Sequence, residues 1–269
     1  MKIGKNILLL ILVMSILAIS IIVSQIDIEA LFGKGMASSD NRLMDFPKIM
    51  LWAWERPEDL SFIDPNQVGV AFLAGTLYLR GDDVLIRPRF QPLSVADAAK
   101  LMAVIRIESD RHEPPIRSRE QRTRAVSAIC ELSDMPEIEG VQIDFDAKAS
   151  QRGFYRNLLF ELRRKLPDPM ALSITALASW CIYDDWLSEL PIDEAVPMLF
   201  RMGSDGAQVL LYLKAGGDFR PSVCRNSLGI STDEPTPALP SGRRVYVFHP
   251  KAWSPVSARN IIKEVRSWQ

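Results

Sequence analysis

Residues 140–146 read GVQIDFD. Val141, Ile143 and Phe145 alternate with Gln142, Asp144 and Asp146, the period of a β-strand, so three polar groups share one face and three apolar groups the other. A strand apolar on one side and acidic on the other needs a covered face and a polar interior or rim. On one strand face, acids two positions apart hold their side chains roughly 6–7 Å apart. Like charges at that range raise one of the two pKa values.

Segments on both sides repeat a strand–helix rhythm. After the motif, Phe154, Leu158, Leu162 and Leu166 recur every fourth residue with Arg and Lys opposite, which predicts a helix over 151–166. Before it, 118–132 has helical spacing and 102–108 (MAVIRIE) reads as a strand. Further strands are predicted at 49–54, 69–79 with a hairpin return over 84–87, 171–178, 195–202, 227–231 and 244–249. Short helices are expected at 94–100, 184–190 and 208–213, the last stopped by Gly216-Gly217. Ser254-Pro255 opens a final helix as N-cap and first residue, with Ile261, Ile262 and Val265 inward. Eight strands with helices between them, in about 220 residues, predict an α/β fold: a (β/α)8 TIM-like barrel over 47–269. A doubly wound sheet is the alternative, but no Gly-rich phosphate turn follows the first strand. The Pro-rich run 232–242 is a loop.

The N-terminus sets the expected compartment. Residues 7–24 are an uncharged apolar run of 18 residues between Lys2 and Lys5 and the first acid, Asp27. A helix of that length spans about 27 Å, near the thickness of a bilayer core. Residues 1–25 are therefore expected to be a membrane anchor, or a signal segment that is cleaved, and 26–46 a linker. With the lysines cytoplasmic, the expectation is a bacterial inner-membrane protein with a periplasmic barrel, or a periplasmic or secreted one after cleavage.

Composition excludes several classes. Lys plus Arg is 32 and Asp plus Glu is 33, for a formal net charge of −1, so no overall basic excess points to nucleic acid. The arginine-rich run 111–124 is interspersed with Glu113 and Glu120 and reads as a solvated face. The chain is 48% hydrophobic and 24% charged, which excludes disorder. Cys130, Cys181 and Cys224 are an odd number, so at least one is free or pairs between chains. His112 and His249 stand far apart without acids at ligand spacing, and no metal or other cofactor is expected. Neither a P-loop nor a G-x-S-x-G elbow occurs.

In a barrel, chemistry sits at the C-terminal strand ends. The polar residues there are Trp54 and Glu55, Arg106 and Glu108, Gln142, Asp144 and Asp146, Trp180, Arg201 and His249. Tryptophans, arginines and carboxylates on one rim suit a carbohydrate or polysaccharide, since Trp stacks on sugar faces and carboxylates bond hydroxyls or move protons. Asp146, Asp144 and Glu108 are the candidate catalytic groups. Trp54, Glu55, Arg106, Gln142, Trp180, Arg201 and His249 are candidates for substrate binding, with Gln142 deeper in the barrel. A carboxyl separation of about 5–5.5 Å would predict retention and about 6.5–9.5 Å inversion.

GVQIDFDA together with LSITALASWC, WAWERPEDL, VIRIE, EAVPMLFRMG and YVFHPKAW resembles the bacterial domain-of-unknown-function family 3142 over about residues 47–253. That resemblance implies a glycosidase-like barrel. The motif also resembles the D-G-x-D-x-D-x-E run of chitinase-type glycoside hydrolases over 139–146. The likeness implies that Asp144 orients an acetamido group and Asp146 takes the proton donor's place. Asp146 is Asp where that family has Glu, and Gln142 replaces its middle acid. The expected function is a glycoside hydrolase acting on envelope or extracellular polysaccharide. The alternatives are a non-catalytic glycan-binding barrel and a membrane-anchored assembly protein.

Overall fold

A computed structural model describes residues 42–235 and 240–268. Eight parallel strands close a barrel. In chain order they are β1 (Ile49–Ala53), β3 (Val68–Arg80), β6 (Leu101–Ser109), β7 (Ile138–Asp144), β8 (Ala171–Leu177), β9 (Glu194–Met198), β10 (Ser227–Ser231) and β11 (Arg244–Phe248). Each pairs with the next, and β11 pairs with β1 to complete the ring. The expected α/β barrel is therefore present, and its helices are α1 (Arg119–Leu132), α2 (Arg152–Lys165), α3 (Ala178–Tyr183), α4 (Gly206–Lys214) and α5 (Pro255–Arg266).

The ring departs from strict strand–helix alternation on one side. After β3 the chain turns at Gly81, whose φ of 51° suits glycine, and returns antiparallel as β4 (Asp83–Pro88). The helix expected at 94–100 is absent. Leu93–Val95 instead forms β5, paired in parallel with β2 (Glu58–Leu60). The helix expected at 184–190 is displaced toward the N-terminus: α3 begins directly after β8, and Asp184 ends it. The shifted helix packs against the barrel through Trp180, Cys181 and Ile182, all buried.

Strand parity sorts the side chains into two cores. Odd positions of β1 point outward to the helices, whereas Met50 and Trp52 point into the barrel with Met102, Val104, Val196 and Tyr246. The interior is closed at the N-terminal end by residues 42–46. These were expected to end a linker, but Leu43 and Phe46 are buried in this cluster. Gly140 makes room there, since a Cβ at that position would lie 3.3 Å from the Phe46 ring and 2.9 Å from the Met102 methyl. Above this plug runs a buried hydrogen-bonded chain. Arg244 pairs with Glu194 at 3.0 Å, Ser173 donates to the same carboxylate at 3.1 Å, Gln142 donates to Ser173 at 3.0 Å, and the Trp52 indole donates to Gln142 at 2.8 Å.

The cysteine count resolves within one chain. Cys181 of α3 and Cys224 are joined, with Cα atoms 6.0 Å apart, and Cys130 is free and half-buried. Alkylation of the denatured, unreduced protein should label one thiol. Cys224→Ala should lower stability by about 2–4 kcal/mol in urea unfolding. Three labelled thiols would contradict the pairing.

Among the described residues no helix is long and apolar enough to cross a membrane. The apolar run 7–24 lies outside them.

Candidate active site

A cavity of about 1030 Å³ opens at the C-terminal ends of the strands. Its floor is aromatic. Parity carries the inward series of β1 to Trp54, that of β9 to Phe200 and that of β11 to Phe248. Phe200 and Phe248 stack with centroids 5.8 Å apart, Trp54 meets Phe248 edge-on at 6.2 Å, and Trp52 lies beneath with its ring 6.1 Å from Phe200. Gly229 of β10 admits that Trp52 ring, because a Cβ there would come within 2.8 Å of it. Gly229→Ala should therefore cost about 1–3 kcal/mol in thermal unfolding and change tryptophan fluorescence. An unshifted midpoint would show that Trp52 yields freely.

The acids stand on the opposite side. Register pairs Arg106 of β6 with Asp144 of β7. Asp144 is half-buried on the cavity wall and accepts a hydrogen bond from Thr175 Oγ1 at 2.8 Å. Burial pushes its carboxyl up, the Thr175 hydroxyl and the Arg106 charge pull against this, and Asp146 adds to the rise. Asp146 lies two residues past the end of β7 and opens into the cavity. Desolvation by the cavity walls raises its carboxyl too, with Arg106 opposing. Both acids thus hold protons to higher pH than an ordinary Asp. Glu108 shares the Arg106 face and is held by that guanidinium at 2.7 Å.

The structure brings Trp54, Arg106, Glu108, Asp144, Asp146 and Arg201 of the sequence candidates together around this cavity. Four others lie elsewhere. Gln142 sits one layer below, fully buried and bonded to Trp52 and Ser173, so it supports the floor. Glu55 has the outward parity of β1 and meets Arg87 of β4 at 3.6 Å. His249 likewise follows the outward parity of β11. Its ring stacks on Trp253 at 4.8 Å and Nδ1 bonds Thr232 at 2.5 Å, and burial lowers its pKa. Trp180 was expected at a strand end as a stacking surface. It is 5% exposed on α3, edge-on to Trp186 at 5.1 Å, and turned away from the cavity.

Sequence reading missed Phe200, Phe248 and Thr175. Extending the inward parity of β8, β9 and β11 finds all three. It also missed Arg111, Arg117 and Lys148, which line one wall from the β6–α1 and β7–α2 loops. Among the described residues no group of three or more His, Cys, Asp or Glu could hold a metal ion.

No family model matches the chain, and no curated protein matches it. The resemblance to the unknown-function family stays a resemblance. Solved structures do match. A protein assigned as chitinase A from Streptomyces coelicolor aligns with a TM-score of 0.52 at 11% identity, over 82% of this chain and 98% of that one. The fold is that of a TIM barrel. The chitinase domain of the spore coat protein CotE from Clostridium difficile aligns at 0.42 with 14% identity, over 78% of this chain and 70% of that one. A fungal endo-β-N-acetylglucosaminidase from glycosyl hydrolase family 18 aligns at 0.45 with 14% identity, over 83% and 87%. At 11% identity the first of these likenesses establishes architecture alone.

Proposed function

We propose that the protein is a glycoside hydrolase acting on envelope or extracellular polysaccharide. One observation carries this reading: two carboxyls with raised pKa, Asp144 and Asp146, face an aromatic floor across one cavity at the catalytic end of the barrel. Glycosidic cleavage needs a proton for the leaving oxygen and a second group to hold the positive charge that grows on the sugar ring. Asp146 is exposed to the cavity and supplies the proton. Asp144, fixed by Thr175, orients the substrate or holds the developing charge. Glu108, set by Arg106, is the second carboxylate on this face. Trp54 and the Phe200–Phe248 stack offer apolar faces to sugar rings.

The reading also places the protein outside the cytoplasm, tethered through residues 7–24. The Cys181–Cys224 bond supports an oxidising compartment. A binding-only role has one observation in its favour: Asp146 is a methylene shorter than the Glu of the chitinase-type pattern.

Tryptophan fluorescence tests the site itself. Titrating the protein with envelope and exopolysaccharide fractions should shift the emission of Trp52 and Trp54, and Trp54→Ala should weaken binding by about tenfold. If no fraction changes the emission or binds, the carbohydrate reading fails.

A further inference from the structure

We infer that the glycan this site takes is anionic, with carboxylate-bearing sugar units, a conclusion that rests on the carbohydrate reading above. Three cations, Arg111, Arg117 and Lys148, line one wall of the cavity. Among the described residues no carboxylate lies within ion-pair distance of any of them, whereas the other lining arginines are matched. Arg106 is held by Glu108 at 2.7 Å and Arg201 by Asp233 at 3.1 Å. Of the acids nearest them in sequence, Asp110 beside Arg111 is turned to its own loop, where it accepts the backbone N–H groups of His112 at 2.7 Å and Glu113 at 3.0 Å, and Asp146, two residues before Lys148, faces the Arg106 charge instead. Asp205, also on the lining, accepts the Ser204 hydroxyl at 3.1 Å.

The backbone adds an independent sign. Three non-glycine residues among those described have left-handed φ: Ala98, Arg117 and Arg201. Two of them are arginines of this cavity. Arg117, at φ 64°, is held by the buried Gln121, whose Oε1 accepts the Arg117 N–H at 2.9 Å while its Nε2 donates to Gly81 and Asp83 carbonyls. The Arg117 guanidinium meets the Ser150 carbonyl at 3.4 Å, so the β6–α1 loop touches the β7–α2 loop that carries Lys148. A non-glycine residue kept in a disfavoured backbone conformation by a buried clamp marks a position where the group displayed matters more than local stability. Guanidinium forks match carboxylates in a bidentate manner, so hexuronic acid units fit the wall and neutral chitin-type units leave it unpaired.

The test is calorimetric binding of the full chain to hexagalacturonate and to neutral N-acetylchitohexaose. Hexagalacturonate should bind at least tenfold tighter, and raising salt from low to high ionic strength should weaken it while leaving the neutral sugar unchanged. Arg117→Gly relieves the φ strain, so its thermal midpoint should match or exceed wild type while hexagalacturonate affinity drops about tenfold. Arg111→Gln with Lys148→Gln should lower it further. Equal or tighter binding of the neutral sugar, indifferent to these variants, overturns the inference and leaves the carbohydrate reading standing. Binding of neither hexamer nor any polysaccharide fraction overturns both.

Discussion

Asp146→Asn is expected to lower polysaccharide hydrolysis by about 10²–10⁴-fold, the usual contribution of a positioned general acid, while glycan affinity stays within about threefold. The amide keeps the size of the side chain and removes its transferable proton. Because Asp146 opens into the cavity and, among the described residues, no hydrogen bond anchors its side chain within the wall, the fold should be unaffected. Wild-type activity should also decline on the alkaline side. The reacting form of Asp146 is protonated, and desolvation raises its pKa above the ordinary Asp value, so turnover is lost as pH climbs through that raised value. Arg106 opposes the rise, so Arg106→Met should move this alkaline limb to higher pH. A variant with wild-type turnover and an unchanged pH profile would remove Asp146 from the chemistry.

The second large effect concerns stability. Glu194 is 0% exposed inside the barrel and is the hub of the buried chain: it pairs with Arg244, and it accepts from Ser173 and Tyr246. Arg244 also donates to the Leu43 carbonyl at 2.7 Å and the Pro47 carbonyl at 3.1 Å, so it ties the N-terminal plug to the barrel. Glu194→Ala would leave a buried guanidinium without its counter-charge, at a cost of about 3–5 kcal/mol. That is a large share of the roughly 5–15 kcal/mol that holds a typical domain folded. Urea unfolding should show the midpoint falling accordingly, and a loss under about 1 kcal/mol would mean that water reaches this ion pair.

Period two along 140–146 and along 102–108 was enough to bring Arg106, Glu108, Asp144 and Asp146 to one face, and the barrel places that face on the cavity. The same rule misled where the expected strand ran past its true end. Glu55 and His249 were counted as rim residues, but each has the outward parity of its strand. Trp180 failed for another reason: a helix starts where the sequence suggested a loop, and that helix buries the ring. The interior ion pair was unreadable because Glu194 and Arg244 each open a strand, a position where charge is ordinarily solvated. Only closure of the barrel brings them face to face, with the 42–46 plug sealing them from below. Arg111 and Arg117 of the cationic wall were read as part of a solvated face because loop side chains follow no period.

The most direct measurement is reducing-end release from envelope and exopolysaccharide fractions by wild type beside Asp146→Asn. Release by wild type, falling at least a hundredfold in the variant that still binds, is the predicted result. Equal release by both proteins, or binding with no release by wild type on any fraction, would contradict the claim that this cavity cleaves glycans through Asp146.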